Sequence, residues 1–424
     1  MSNRICTLIP LSVCALCSNV WSADITVAPG TGTLNLAVAG AATSGDTLLL
    51  QDGAYYGAVT VNKSITIRPL NRATNAVVDG PLTIDGADIK VTLQGLKFSG
   101  DVNLTRAAAI RLLENQWVSD DIEASYYKSS EGDGSLVIVG NRFADGSNIK
   151  NIYIDGAYIA GNVLINGGIY TYAYSWVVGN QVRLIDLSIY SAIYVDAKAS
   201  NAFVLANRVH CSSPYTIYDG CINVESTFNL IAGNIVEVTD TSTSEYRQRG
   251  IFVQNSSGAT VMNNIVRGTE TTATRSGGGI SVYTGEARVA GNVVMDWVSS
   301  SGTPIDVDAF DAEVTHNLCF NNIGSCPGGN GNLDADPEFV DLADYELGTG
   351  SPAIDAGPPD DSLGDLDRTR NDMGVHGGPW DIAQYDIQRD PESLVPYVYP
   401  LFKASTYLSG GVLEVRALGV ARLR

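Results

Sequence analysis

Val139-Gly140-Asn141, Ala160-Gly161-Asn162, Val178-Gly179-Asn180, Ala232-Gly233-Asn234 and Ala290-Gly291-Asn292 are five copies of one short phrase, an apolar residue followed by glycine and asparagine. Asn263-Asn264 and His316-Asn317 continue the series, and Asn115 and Asn207 are looser members. The last asparagine of each recurs at intervals of 26, 21, 18, 27, 27, 30, 28 and 25 residues. Such a period belongs to a solenoid, in which each repeat buries its apolar face only against its neighbours. The uneven intervals place loops of differing length within the coils. Asparagine at these turns predicts a side-chain ladder, because it tolerates the left-handed backbone region and its amide both donates and accepts.

A strand precedes each turn. Ile193-Tyr194-Val195-Asp196, Ile222-Asn223-Val224-Glu225, Ile251-Phe252-Val253-Gln254, Ile280-Ser281-Val282-Tyr283 and Ile305-Asp306-Val307-Asp308 begin 14, 12, 13, 12 and 12 residues before their asparagines. The alternation has the period of a strand with one buried face. Ile and Val point inward, and successive coils are ~4.8 Å apart. Two outward columns follow: Tyr194, Asn223, Phe252, Ser281 and Asp306, then Asp196, Glu225, Gln254, Tyr283 and Asp308.

Composition agrees with an all-β chain. The 424 residues include 44 Gly and 20 Tyr, are 17% charged, and are rich in Val, Ile, Thr and Asn. Arg4 followed by the apolar stretch from Ile5 to Cys17, with Val20-Trp21-Ser22 before Ala23, reads as a secretory signal peptide over 1–22. No other run reaches the ~18 apolar residues of a membrane span, so no transmembrane anchor is expected. A net charge of −20 argues against nucleic acid, and against a polyanionic glycan unless a local basic patch or bound cations intervene.

Four cysteines follow the signal segment: Cys211, Cys221, Cys319 and Cys326. An even number in an exported chain suggests two disulfides. Cys211 and Cys319 follow turn asparagines four coils apart, ~19 Å along the axis, whereas a disulfide needs Cα atoms within ~7 Å. Pairing is therefore expected to be local, Cys211 with Cys221 and Cys319 with Cys326, each link stapling a loop rather than the core.

These repeats resemble the right-handed parallel β-helix proteins of pectin-lyase-like architecture, over roughly residues 45 to 345. Leu34 to Ala42 fits an N-terminal helical cap, and Gly45 to Leu50 and Val61 to Ile67 fit the first coils. Gly331 to Phe339, Gly350 to Gly357 and Asp365 to Gly374 are similar to phrases that end such β-helices, and imply an irregular C-terminal cap. The expected layout is a solenoid with caps over 23–379. An extension over 380–424 either folds back or forms a small docking module.

The resemblance does not select a function. Relatives of this architecture include pectate, alginate and chondroitin lyases, galacturonidases and epimerases. The Trp-Ile-Asp-His, Asn-Thr-Asp, Gly-His-Gly and Asp-Pro-His-Asp signatures of those groups are absent from the coils. Asn223 and Glu225 are similar to calcium ligands of the alginate and chondroitin lyase group, but the lysine that follows there is missing. No glycine-rich phosphate loop, zinc spacing or nucleophile elbow is present.

The outward columns carry the site expectation. Aromatic rings stack on sugars, and amides and carboxylates bond hydroxyls, so Tyr194, Asn223, Phe252, Gln254 and Tyr283 form a candidate glycan-binding groove. Asp196 and Glu225, on adjacent coils ~5 Å apart, are a candidate acid–base pair, with Lys198 and Arg249 beside them. The same pair also suits a calcium ion, or a merely solvated face. Asp334, Asp336, Asp365 and Asp367 are further candidate calcium ligands, although acidic loops commonly just face water; no cofactor is required. His210 reads as a loop residue with no visible partner, and His316 as structural. Three classes of function fit: a lyase or hydrolase acting on extracellular polysaccharide, a non-catalytic adhesin, or a structural surface protein. Oligomeric state is not legible.

Overall fold

The computed structural model describes residues 22–385 apart from 72–73, 125–127, 130–135, 145, 154–155, 173, 186–190, 197–200, 214–219, 241–248, 255–257, 270–276 and 299–302. Two further strands, Tyr397–Leu401 and Arg416–Val420, are described in backbone alone and pair antiparallel. The expected signal segment, Lys198 and most of 386–424 lie outside the described residues.

Each well-formed coil supplies three short strands. In one, Ile193–Val195 and Phe203–Leu205 belong to a wide sheet with two strands per coil, and Arg208–Ser213 belongs to a second, single-stranded sheet. The next coil repeats the set as Ile222–Val224, Leu230–Ala232 and Ile235–Asp240. The two pair in parallel, residue for residue. Ile193, Ile222, Ile251, Ile280 and Ile305 are successive partners, as are Val195, Val224, Val253, Val282 and Val307. All but Val307 are buried, so the inward alternation holds. The chain is a parallel β-helix. Its interior is stacked coil on coil; Phe98, Trp117 and Phe143 lie face to face at 4.9 and 4.8 Å between ring centres.

The asparagine ladder is continuous. From Asn115 through Asn141, Asn162, Asn180, Asn207, Asn234, Asn264, Asn292 and Asn317, each Nδ2 donates to the next Oδ1 at 2.9–3.1 Å. Asn332, whose interval of 15 residues hid it in the sequence, extends the ladder by one more member at 3.1 Å. The left-handed position is not the ladder asparagine, as expected, but the residue before it. Gly140, Gly161, Gly179, Gly233 and Gly291 have φ between 60° and 69°, and Glu114, Ala206, Asn263 and His316 take the same region at 52–54°. Glycine thus supplies the backbone geometry and asparagine the ladder.

A helix over Thr33–Leu36, continued by a π turn over Ala37–Ala41, buries Leu34 and Val38 against the first coils, as expected of the N-terminal cap. The irregular C-terminal element begins at the last coil and then runs along the flank of the β-helix. Tyr345 Oη donates to Glu237 Oε1 at 2.6 Å, Asn263 Nδ2 to Asn371 Oδ1 at 2.9 Å, and the Gly374 N–H to Gly291 O at 2.7 Å. Trp380 and Tyr385 reach earlier turns: a Cβ at Gly233 would lie 2.5 Å from Trp380 O, and one at Gly179 2.8 Å from Tyr385 O. Those glycines are therefore required for close approach as well as for φ. The path continues unbroken through 379–380, so Trp380 to Tyr385 belongs with this flank.

Both disulfides form locally, Cys211–Cys221 and Cys319–Cys326, with Cα separations of 6.1 and 5.4 Å. The first departs from the loop-staple expectation. Cys211 and Cys221 are fully buried in the main core, because the parallel register turns Cys211 inward beside Leu184 and Val238.

Candidate functional site

The expected groove lies on the outer face of the wide sheet. Tyr170, Tyr194, Asn223, Phe252, Ser281 and Asp306 are successive partners across six coils. The second column extends one residue past several strands. The Asp196 N–H donates to Thr171 O and the Glu225 N–H to Val195 O, placing Tyr172, Asp196 and Glu225 on successive coils. Gln254, Tyr283 and Asp308 follow.

The acid pair is brought together, and each member is already engaged. Tyr194 Oη donates to Asp196 Oδ2 at 3.4 Å, and Gln254 Nε2 to Glu225 Oε1 at 3.0 Å. Partial burial, with the charges of Glu225 and Asp196, drives the Tyr194 hydroxyl well above its ordinary range, so it serves as a neutral donor. Tyr283 Oη donates to Asp306 Oδ2 at 2.6 Å.

Three expected groove residues are not open to a ligand. Arg249 and Phe252 are only 3% and 4% exposed, and Asn223 is fully buried. The Arg249 guanidinium stacks 3.9 Å over the Phe252 ring and 5.4 Å from that of Tyr283, a cation–π sandwich within the protein. The sequence could not show this, because outward on a strand means solvent only where no other segment crosses the sheet; here Gly220 lies against Phe252 and Gly278 against Asp306. Both amide atoms of Asn223 and the hydroxyl of Ser281 are buried without a hydrogen-bond partner. Each such group costs about 1–3 kcal/mol, so this stretch of the column is polar at a price in stability.

Residues missed in the sequence extend the strip toward the N-terminus. Tyr153 and Tyr172 stack at 4.5 Å, and Tyr172 meets Tyr194 edge-on at 6.3 Å and 72°. Tyr153 is 41% exposed. Carrying the coil register backward from Asp196 would have found both.

The proposed calcium ligands do not converge. Asp336 and Asp367 accept from backbone N–H groups two residues on, at Glu338 and Thr369, and Asp334 accepts from the Cys326 N–H. Asp365 accepts from the Asp372 and Gly378 N–H groups. Among the described residues, the one trio of candidate ligand atoms within 4.8 Å of one another is Cys319, Cys326 and Asp334, and its two sulfurs form a disulfide. These carboxylates serve as turn and loop acceptors.

His210 departs from its expected loop. It lies on strand Arg208–Ser213 as the register partner of Glu237, with Nδ1 3.4 Å from Glu237 Oε2.

No protein-family profile and no curated protein matches the sequence. Among solved structures, the chain is similar to the pectate lyase Pel9A at 13% identity and a TM-score of 0.39, covering 84% of this chain and 96% of that one. It is also similar to the PL6 family alginate lyase AlyGC at 14% identity and a TM-score of 0.38, covering 87% of this chain and 59% of the lyase. The parallel β-helix is read from strand register and owes nothing to those scores, and no substrate passes from either enzyme to this chain.

Proposed function

We propose that this protein is exported and engages a polysaccharide lengthwise along the strip from Tyr153 to Tyr283. The observation that carries the reading is the sequence of side chains at coil spacing. The exposed tyrosine stack of Tyr153 and Tyr172 leads into Tyr194, Asp196, Glu225 and Gln254. Coils ~4.8 Å apart match the rise of a sugar unit closely enough for successive units to meet successive coils. Asp196, Glu225, Asp306 and Asp308 make the strip acidic, while Arg249 is buried beneath it, so the favoured polymer is uncharged. Two disulfides support an oxidising compartment. Because Asp196 and Glu225 each accept a neighbour's hydrogen bond, recognition of hydroxyls suits them better than proton transfer. A lyase or hydrolase using Asp196 and Glu225, with Lys198 and Arg249 in support, is the alternative that the same test separates.

Binding should be measured by affinity electrophoresis on a panel of neutral and acidic polysaccharides, with reducing-end release followed in parallel. Tyr172→Ala and Glu225→Gln should each weaken retention on a neutral polymer about tenfold, equivalent to about 1.4 kcal/mol, with no release of ends. Release abolished by Asp196→Asn and Glu225→Gln would establish catalysis instead. Unchanged retention in all three variants would remove the groove reading.

A further inference from the structure

The second sheet carries a cleft that the groove does not use. Its outward columns stack Arg183, His210, Glu237 and Arg267 on successive coils, and beside them Gln181, Arg208 and Ile235. In a chain of net charge −20, these cations are 25 to 32 residues apart in sequence and meet only through the register. Residues Leu342 to Tyr345 of the flanking C-terminal segment form one wall, and together they enclose a cleft of about 490 Å³. That is within the ~300–1,000 Å³ range of small-molecule sites.

The interior is preorganised. Tyr345 is buried, packs edge-on against Phe339 at 5.2 Å, and fixes Glu237 through the 2.6 Å hydrogen bond from its hydroxyl. Glu237 in turn holds the His210 ring through Nδ1 and lies 4.0 Å from Arg267, whose Nε bonds Asp296 at 3.0 Å. Hydrogen bonding from His210, ahead of that from Tyr345, keeps the Glu237 carboxyl below its ordinary range, so it is an anion that orients the imidazole. Arg208 is committed to the wall, with bonds to Ala343 O at 2.8 Å and Asp344 Oδ1 at 3.1 Å. Arg183 differs: it is exposed and lines the cleft, and its guanidinium has no protein partner among the described residues. Val163, Ile165, Ile235 and Leu342 supply an apolar side, with Ile165 and Leu342 exposed at 44% and 42%.

We propose that this cleft is a binding site for a carboxylate-bearing sugar of one or two units, with Arg183 taking the carboxylate, His210 Nε2 contacting a hydroxyl or the carboxylate, and the apolar side covering the sugar face. Arginine's planar fork matches a carboxylate bidentately. The fixed imidazole and the aliphatic wall add what a free anion could not use. This site goes beyond the groove reading and is independent of it, because the groove is acidic and lies on the other sheet.

The probes are digalacturonate, cellobiose as its uncharged counterpart, and acetate as a carboxylate without a sugar face. Each is titrated into the full chain by calorimetry at low ionic strength, with the His210 ring signals followed by NMR. Digalacturonate should bind at least tenfold more tightly than either cellobiose or acetate and should shift the His210 signals. Arg183→Ala should remove at least a tenfold share of that affinity, and Arg183→Lys should restore part of it; Arg183 is exposed, so neither change threatens folding. The proposal is overturned if digalacturonate binds no better than cellobiose, if Arg183→Ala leaves its affinity unchanged, or if the His210 signals do not move. Acetate binding as tightly as digalacturonate would reduce the site to an anion contact and overturn the sugar assignment. Loss of neutral-polymer retention in the groove variants bears on none of these outcomes.

Discussion

Truncating Asn207 to alanine tests the ladder at its middle. Asn207 Oδ1 accepts from the backbone N–H and the Nδ2 of Asn180, at 2.9 and 3.0 Å. Its own Nδ2 donates to Val177 O and Asn234 Oδ1, both at 2.9 Å. Alanine leaves two buried donors without partners, the Asn180 N–H and one hydrogen of the Asn180 amide, whose other hydrogen still reaches Ile159 O. Asn234 Oδ1 keeps the Asn207 N–H. At about 1–3 kcal/mol for each stranded buried group, the loss is about 2–6 kcal/mol. Asn115, at the head of the ladder, accepts from one donor only, the Leu96 N–H at 3.0 Å. Asn115→Ala should therefore cost about half as much, about 1–3 kcal/mol. Urea unfolding followed by tryptophan fluorescence gives both values, and hydrogen exchange at the Asn180 N–H gives a local one. That amide should exchange much faster in Asn207→Ala and be unaffected by Asn115→Ala. Equal losses at the two positions, or a loss below about 1 kcal/mol at Asn207, would mean that water replaces the amide and that the ladder does not hold the turns.

Two further outcomes follow from the coil geometry and the flank. Val253→Asp places an unpartnered charge in the fully buried valine stack and should cost several kcal/mol, whereas Gln254→Asp loses the bond to Glu225 and sets two acids side by side, for about 1 kcal/mol; comparable drops in melting temperature would show the alternation to be misread. Burial, reinforced by the charge of Asp372, raises Asp365 from 3.8 to about 6. Its contribution to stability is thus fully present below pH 3.8 and is lost as pH rises through about 6. Asp365→Asn should flatten that decline in the protease resistance of the 357–378 segment, leaving the smaller slope due to Asp372, which burial also raises. An unaltered profile would show that Asp365 does not titrate in this range.

The turn phrase was enough to read the fold because a solenoid is built from local period. Gly-Asn at nearly constant spacing encodes a left-handed residue followed by a ladder asparagine, and Ile-x-Val encodes which side faces in. Register then follows, since slipping one residue would turn every valine outward. The groove residues were legible to the same extent: Asp196 and Glu225 fall side by side as their spacing implies. Their surroundings were not. Whether Phe252 and Arg249 form a platform or a buried sandwich depends on which segments cross the sheet, and no period encodes that. Asn332 escaped because its interval of 15 residues breaks the spacing, and Tyr153 and Tyr172 because the columns were not carried back.

The sequence by itself determined the coil, the inward stacks, the ladder and the two local disulfides, all of which depend on contacts between residues one coil apart or nearer. Only the tertiary structure decided where the irregular C-terminal segment lies and what it makes of the face it covers. Tyr345 meets Glu237 across 108 residues, and Asp344 meets Arg208 across 136. Such contacts follow from shape and charge matching between distant surfaces, which repeat spacing does not record. They turn His210, read alone as a loop histidine, into one wall of an enclosed cleft.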